Sequence, residues 1–281
     1  MNHLQRAASF KALHYRPGIF VVPNPWDSGS AKFLENLGFE ALATTSAGLA
    51  YTLGKADGMT QVTREETLKN ARAILDATQL PVSADLENCF GDDPETCAIT
   101  IKLAAHTGLS GGSIEDASGR SEAPIYPFEL AVSRVRAAVS AVRSLNQPFM
   151  LTARAENYLH GRPDLEDTIN RLVAFAKAGA DVLYAPGVKS LADIEKIVRA
   201  VQPKPVNVLM GFPDVDYQLS DLEAIGVKRV SVGSSLARAA YGGLHKAAQE
   251  ILEQGKFTYA KETEPYLDLN TLFNKNTDTR L

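Results

Sequence analysis

Asp85 and Glu87 stand two residues apart in Pro81–Gly91, which reads PVSADLENCFG. The apolar opening predicts a short buried strand, and residues i and i+2 of a strand share a face. Two acids side by side at a strand end repel unless a proton or a cation lies between them. A hard divalent ion with oxygen ligands, Mg²⁺ or Mn²⁺, answers that need. A solvated acidic turn is the plain alternative. A second acidic strand end, Ser113-Ile114-Glu115-Asp116, favours the metal.

The elements that must position these acids alternate. Asn2–His14 reads as a leading helix, stopped by Pro17-Gly18. Eight short apolar runs follow, centred near residues 20, 43, 83, 112, 151, 182, 207 and 230. Helical stretches separate them, with caps such as Thr63, Asp164 and Ser190 and stops such as Gly38, Gly179 and Gly226. Ser46-Ala47-Gly48 reads as a small-residue turn. Doubly buried strands alternating with helices signal a parallel sheet. Eight units predict an α/β fold, a closed (β/α)₈ TIM barrel spanning residues 1–255, with residues 256–281 as a C-terminal extension. An open doubly wound sheet is the alternative, but no GxGxxG follows the first strand.

Composition narrows the class. The 281 residues are 45% hydrophobic and 22% charged, which suits a globular chain. A net charge of −4 gives no basic footprint for nucleic acid. No apolar run has the length of a membrane span, and the N-terminus lacks an apolar signal region. Two cysteines, Cys89 and Cys97, build no disulfide framework, so a reduced, cytoplasmic setting is expected.

In such barrels chemistry gathers at the strand C-termini. There stand Ser46, Gly48 and Asp57 after strand two, and Asp85, Glu87 and Asn88 after strand three. Glu115 and Asp116 follow strand four, and Arg154 and Glu156 follow strand five. Gly233, Ser234 and Ser235 follow strand eight. An acidic metal pocket with Arg154 opposite, holding a small anionic substrate, is the simplest composite. Asp116 reads as a turn cap, Cys89 as a small buried hydrophobe, and His160 as a solvent-facing loop residue.

PNPWDSGSAKFLENLGFEALATTSAGLA, then DLE, IED and TAR after strands three, four and five, resemble the isocitrate lyase/phosphoenolpyruvate mutase superfamily, from about Phe20 to Tyr241. The resemblance implies a (β/α)₈ barrel whose last helix is exchanged within homodimers or homotetramers. It implies Mg²⁺-dependent chemistry on 2-oxo acids through an enolate. By match, Asp85 is the direct metal ligand, and Asp57, Glu87 and Glu115 hold metal-bound waters. Ser46, Ala47 and Gly48 meet the substrate carboxylate. Arg154 pairs with a carboxylate or phosphonate. Asn207 and Ser235 fall at the substrate's far end. Lyases of this kind carry a Lys-Cys-Gly-His segment after strand four; here the segment reads ASGRSEAPIYPF. The expected reaction is therefore C–C cleavage that needs no acid from this gate, such as decarboxylation. A C–P mutase or hydrolase, a Schiff-base aldolase and a barrel that binds without turnover are the alternatives. Ser118–Glu122 is expected to form a lid hinged at Gly119.

Overall fold

In the computed structural model, which describes residues 1–58 and 61–274, eight parallel strands form one sheet. The chain runs α1 (His3–Tyr15), β1 (Phe20–Val22), α2 (Ser28–Asn36), β2 (Leu42–Ala43), α3 (Ser46–Thr52), α4 (Arg64–Ala77), β3 (Val82–Asp85) and α5 (Pro94–His106). It continues through β4 (Gly111–Glu115), α6 (Phe128–Arg143), β5 (Met150–Arg154), α7 (Leu165–Ala178), β6 (Val182–Tyr184) and α8 (Leu191–Val201). Then come β7 (Val206–Leu209), α9 (Leu219–Ala224), β8 (Arg229–Ser231), α10 (Ser235–Gln254) and α11 (Tyr266–Asn274). Strands β2 to β8 pair in sequence order and β8 pairs with β1. The seam between β1 and β2 is bridged where Ala43 N–H donates to Pro23 O at 3.1 Å. The fold is the (β/α)₈ barrel.

The predicted caps hold. Asp27, Thr63, Asp164 and Ser190 each accept a backbone N–H at the start of their helices. One expectation fails: residues 46–52 form a helix rather than a turn. Thr45 supplies the cap, its hydroxyl accepting from Gly48 N–H at 3.3 Å.

The main apolar core lies outside the barrel wall. Val82, Ala84, Ile114, Leu151, Ala153, Leu183, Val206, Val208 and Val230 point toward the helices and are buried there. The alternate strand positions are mostly polar: Ser83, Ser113, Thr152, Asn207, Arg229 and Ser231. The barrel interior is thus a polar, hydrogen-bonded space above an apolar floor. That floor is made by α1, whose Phe10 and Leu13 pack with Phe20, Met150 and Val182. Burying a ring such as Phe10 is worth about 1.5–3 kcal/mol. A side chain at Gly111 would start 2.6 Å from Met150 O and 3.1 Å from Phe10, so the strand stays bare where the plug presses on it.

Beyond α10, a short 3₁₀ turn at Thr258–Glu262 leads to α11, which packs against α2. The rest of the expected extension, residues 275–281, lies outside the described residues. Among the described residues no helix is long and apolar enough to cross a membrane.

His14 completes the floor, its ring edge-on between Phe10 and Phe20. Burial, and then the charge of Arg229, drive its pKa from 6.5 down to about 3. The unfolded chain therefore takes up this proton first as pH falls. The stability is whole above pH 6.5 and is lost progressively toward about pH 3, at up to about 1.4 kcal/mol per pH unit. Urea unfolding across that window is expected to show this slope in the wild type and a shallower one in His14→Gln. Equal slopes would remove His14 from the account.

Candidate active site

Arg154, the last residue of β5, is the hub of the barrel mouth. Its Nη1 meets Asp85 Oδ1 at 3.0 Å and Glu115 Oε2 at 3.2 Å, and its Nε meets Glu156 Oε1 at 2.8 Å. The Tyr184 ring lies 5.2 Å from the guanidinium carbon. Strand register places Glu115, Arg154 and Tyr184 directly beside one another on β4, β5 and β6. Burial alone would lower the Arg154 guanidinium; the charges of Glu156, Glu115 and Asp85 outweigh it and hold the group well above its ordinary range.

One cation does not neutralise the acids around it. Burial, followed by the charges of Asp85 and Asp57, pushes the Glu87 carboxyl up to about 8. Desolvation and the charge of Asp85 also raise Asp57, although that residue sits at the exposed rim. Burial drives Glu115 well above the usual carboxylate range despite the pull of Arg154. Asp85 uses its two oxygens unequally. Oδ1 accepts from Arg154, from Glu87 N–H at 3.2 Å and from Ser113 Oγ at 3.5 Å. Among the described residues Oδ2 has only Ser46 N–H, at 3.4 Å.

The loop that carries Glu87 is held in an uncommon shape. Glu87, Cys89 and Phe90 have φ of 47°, 60° and 62°, in the left-handed region that side chains disfavour. A buried arginine of α6 supports it: Arg134 donates to the carbonyls of Asn88, Gly91 and Asp92 and lies 4.2 Å from the Tyr126 ring centre. Cys89 is fully buried. Asp116 is more than a turn cap. It accepts from Glu156 N–H at 2.8 Å and pairs with Arg171 at 2.9 Å, tying the ends of β4 and β5 to α7.

Two connected cavities open here. The outer one, about 430 Å³, is lined by Asp57, Glu87, Glu115, Arg154, Arg120 and His160 among others. His160 is exposed, as expected of a loop residue, and also lines the rim of this cavity; burial and Arg154 lower its pKa. The inner one, about 180 Å³, is lined by Ser46, Ala47, Asp85, Asn207, Arg229 and Ser234 among others. The segment expected as a lid, Ser118–Glu122, lies in a loop closed at its base. Ala117 and Ile125 bridge, Gly119 is left-handed at φ 74°, and Arg120 is tied to Asp92 at 2.7 Å.

The structure therefore brings Ser46, Ala47, Asp57, Asp85, Glu87, Glu115, Arg154 and Asn207 to one pair of cavities. Gly48 lies just behind. Its N–H is used by the Thr45 cap, and a Cβ there would sit 2.6 Å from Thr45 Cγ2 and 2.7 Å from Trp26 Cβ. Ser235 packs against Gly211 and does not line either cavity, whereas Ser234 lines the inner one. Asn207 is engaged at both ends: Oδ1 accepts from Arg229 Nε at 2.8 Å, and Nδ2 donates to Ser231 at 2.9 Å. Thr44, Tyr184, Ser231 and Arg229 line the inner cavity unforeseen. Strand alternation with Asp85, Arg154 and Asn207 was the signal that would have found the last three. Among the described residues no three His, Cys, Asp or Glu side chains converge to a direct coordination shell.

A family model described as phosphoenolpyruvate phosphomutase matches residues 10–252. The chain belongs to this family. A solved structure from Burkholderia cenocepacia J2315, with a provisional lyase/mutase assignment, is 53% identical with a TM-score of 0.94, covering 97% of this chain and 96% of that one. A Mycobacterium tuberculosis (strain ATCC 25618 / H37Rv) protein described as uncharacterized is 32% identical over 262 residues, 93% of this chain and 94% of its own length. An oxaloacetate decarboxylase of Pseudomonas putida (strain GB-1) is 27% identical over 258 residues, 89% of this chain and 85% of its own. The barrel and its superfamily, expected from DLE, IED and TAR, are thereby established.

Proposed function

We propose that this chain is a divalent-metal-dependent lyase that breaks a C–C bond beside the keto group of a small 2-oxo dicarboxylate, by decarboxylation or a related cleavage. The observation that carries it is the excess of carboxylates at the barrel mouth: four acids, Asp57, Asp85, Glu87 and Glu115, crowd one guanidinium, and Glu87 is forced up to about 8. Hard oxygen donors with unbalanced charge fit Mg²⁺ or Mn²⁺. Asp85, through its freer Oδ2, would hold the ion directly, and Asp57, Glu87 and Glu115 through water. Such an ion, when bound, polarises a keto oxygen as a Lewis acid.

The chain's own groups do the rest. Arg154, fixed by Glu115 and Glu156, presents a rigid cation that orients a carboxylate. The start of α3 at Ser46 and Ala47 offers the N-terminal end of a helix to the same anion. The Ser118–Glu122 lid excludes water when it closes and contributes Arg120 but no Cys, Lys or His. Loss of CO₂ leaves the bonding electrons on the substrate and needs no acid in that step. The resemblance to an oxaloacetate decarboxylase points the same way. C–P chemistry is the second reading, supported by the description of the matching family model and by the Arg120 cation at the outer cavity.

Oxaloacetate, methylisocitrate, isocitrate, malate-type acids and phosphonopyruvate, each assayed with Mg²⁺ and with EDTA, test this directly. Metal-dependent pyruvate formation from an oxo dicarboxylate is expected. Turnover of phosphonopyruvate alone would install the second reading, and turnover indifferent to EDTA would end both. In Mn²⁺ titrations Glu87→Gln is expected to weaken binding about 10–100-fold, as outer contacts do, and Asp85→Asn by more. The reverse ranking would remove Asp85 as the direct ligand.

The working unit is a homodimer or homotetramer in the same proposal. Helix α10 buries only Ala237 of its 20 residues and leaves Leu236, Tyr241, Leu244, Ile251 and Leu252 exposed, a face that an exchanged helix would cover. Light scattering after gel filtration is expected to give two or four chains in the wild type and one in Leu244→Lys/Ile251→Lys. A monomeric wild type would refute it.

A further inference from the structure

The inner cavity holds a second buried guanidinium, Arg229, besides the Asp57, Asp85 and Arg154 side chains that also line it. Arg229, the first residue of β8, is 5% exposed, and among the described residues no carboxylate lies within ion-pair distance of it. Neutral groups hold it instead. Nε donates to Asn207 Oδ1 at 2.8 Å, Nη2 to Thr152 Oγ1 at 2.9 Å, and Nη1 to His14 Nε2 at 3.1 Å. An arginine can only donate, so His14 Nε2 accepts; its Nδ1 lies 2.8 Å from Phe10 O and carries the proton. His14 is thus a neutral imidazole under the guanidinium. Of five N–H groups, three have these partners, which leaves one on each terminal nitrogen. A buried charge without a counter-charge is costly, and removal from water lowers Arg229 to about 10, still protonated at neutral pH.

Position gives this charge a use. Arg154, Tyr184, Asn207 and Arg229 are register neighbours across β5 to β8. Arg154 ends its strand and Arg229 begins its own, so the row runs from the barrel mouth toward the floor. Between them lies the inner cavity of about 180 Å³, lined by Arg229, Asn207, Ser231, Tyr184, Ser113 and Asp85 among others. It shares Ser46, Asp57, Arg154 and Leu159 with the outer cavity, so one ligand can extend through both.

We propose that the inner cavity is an anion subsite in which Arg229, with Ser231 and Asn207 beside it, receives a single carboxylate-sized oxyanion. The shared chemistry is a planar monoanion facing a guanidinium fork. Its source is either one end of a dicarboxylate substrate or a free small carboxylate. The continuity of the two cavities favours the substrate, because one dicarboxylate could reach both Arg154 and Arg229. That half of the inference rests on the proposed lyase reading, whereas the subsite itself does not.

Formate, titrated into the full-length protein in EDTA and followed by thermal shift and calorimetry, tests the subsite without metal or turnover. Saturable stabilisation is expected in the wild type, weaker by about tenfold or more in Arg229→Lys, and absent in Arg229→Met. Equal stabilisation of wild type and Arg229→Met overturns the subsite. Should Arg229→Met fail to fold, a bromide-soaked wild-type crystal decides. An anomalous peak beside the Arg229 guanidinium supports the subsite, and bromide found only at the surface refutes it. Competition assigns the source. Displacement of formate by oxo dicarboxylates supports the substrate, and failure to displace it refutes that half. Formate binding without any metal-dependent turnover would indict the lyase reading alone.

Discussion

One guanidinium shared by three carboxylates sets the character of this barrel. Arg154 reaches Asp85, Glu115 and Glu156 from the end of β5, and those acids come from three adjoining strand ends or the turn just beyond. Buried carboxylates this close repel strongly, and the cation offsets part of that repulsion. With it they are held, but not balanced. The crowding shows as a raised proton affinity at Asp57 and Glu87 and as the less engaged second oxygen of Asp85. The flanking structure serves this arrangement: Arg171 braces Asp116 behind it, and Arg134 holds the left-handed loop that turns Glu87 back toward the mouth.

Much of this was legible in the sequence because it follows local rules. Caps such as Thr63 and Asp164, stops such as Gly179, and doubly apolar strand runs mark the alternation that only a few folds satisfy. The acids at strand ends were legible for the same reason, since strand C-termini and function coincide in barrels. Helix α3 was not, because Ser46-Ala47-Gly48 has the composition of a turn; the Thr45 cap, the approach of Trp26 to Gly48 and the Asp85 carboxylate at its N-terminus make it a helix.

The interior was hardest to read. Lys228-Arg229 looks like a surface pair, and its burial depends on strand parity: Val230 faces the helices, so Arg229 and Ser231 face inward. The alternation marks polar inner positions, but nothing local reports that α1 closes the floor with His14 beneath the arginine. That polarity arises only when eight strands meet. It places crowded carboxylates around Arg154 at the mouth and the Arg229 guanidinium among neutral partners within.

Anomalous diffraction from a crystal soaked in Mn²⁺ tests most directly whether these crowded carboxylates take up a cation. A manganese peak about 2.1 Å from an Asp85 oxygen, with Arg154 still bonded to Glu115 and Glu156, is the predicted result. A barrel mouth without manganese, its Asp85 still bonded to Arg154, would contradict it.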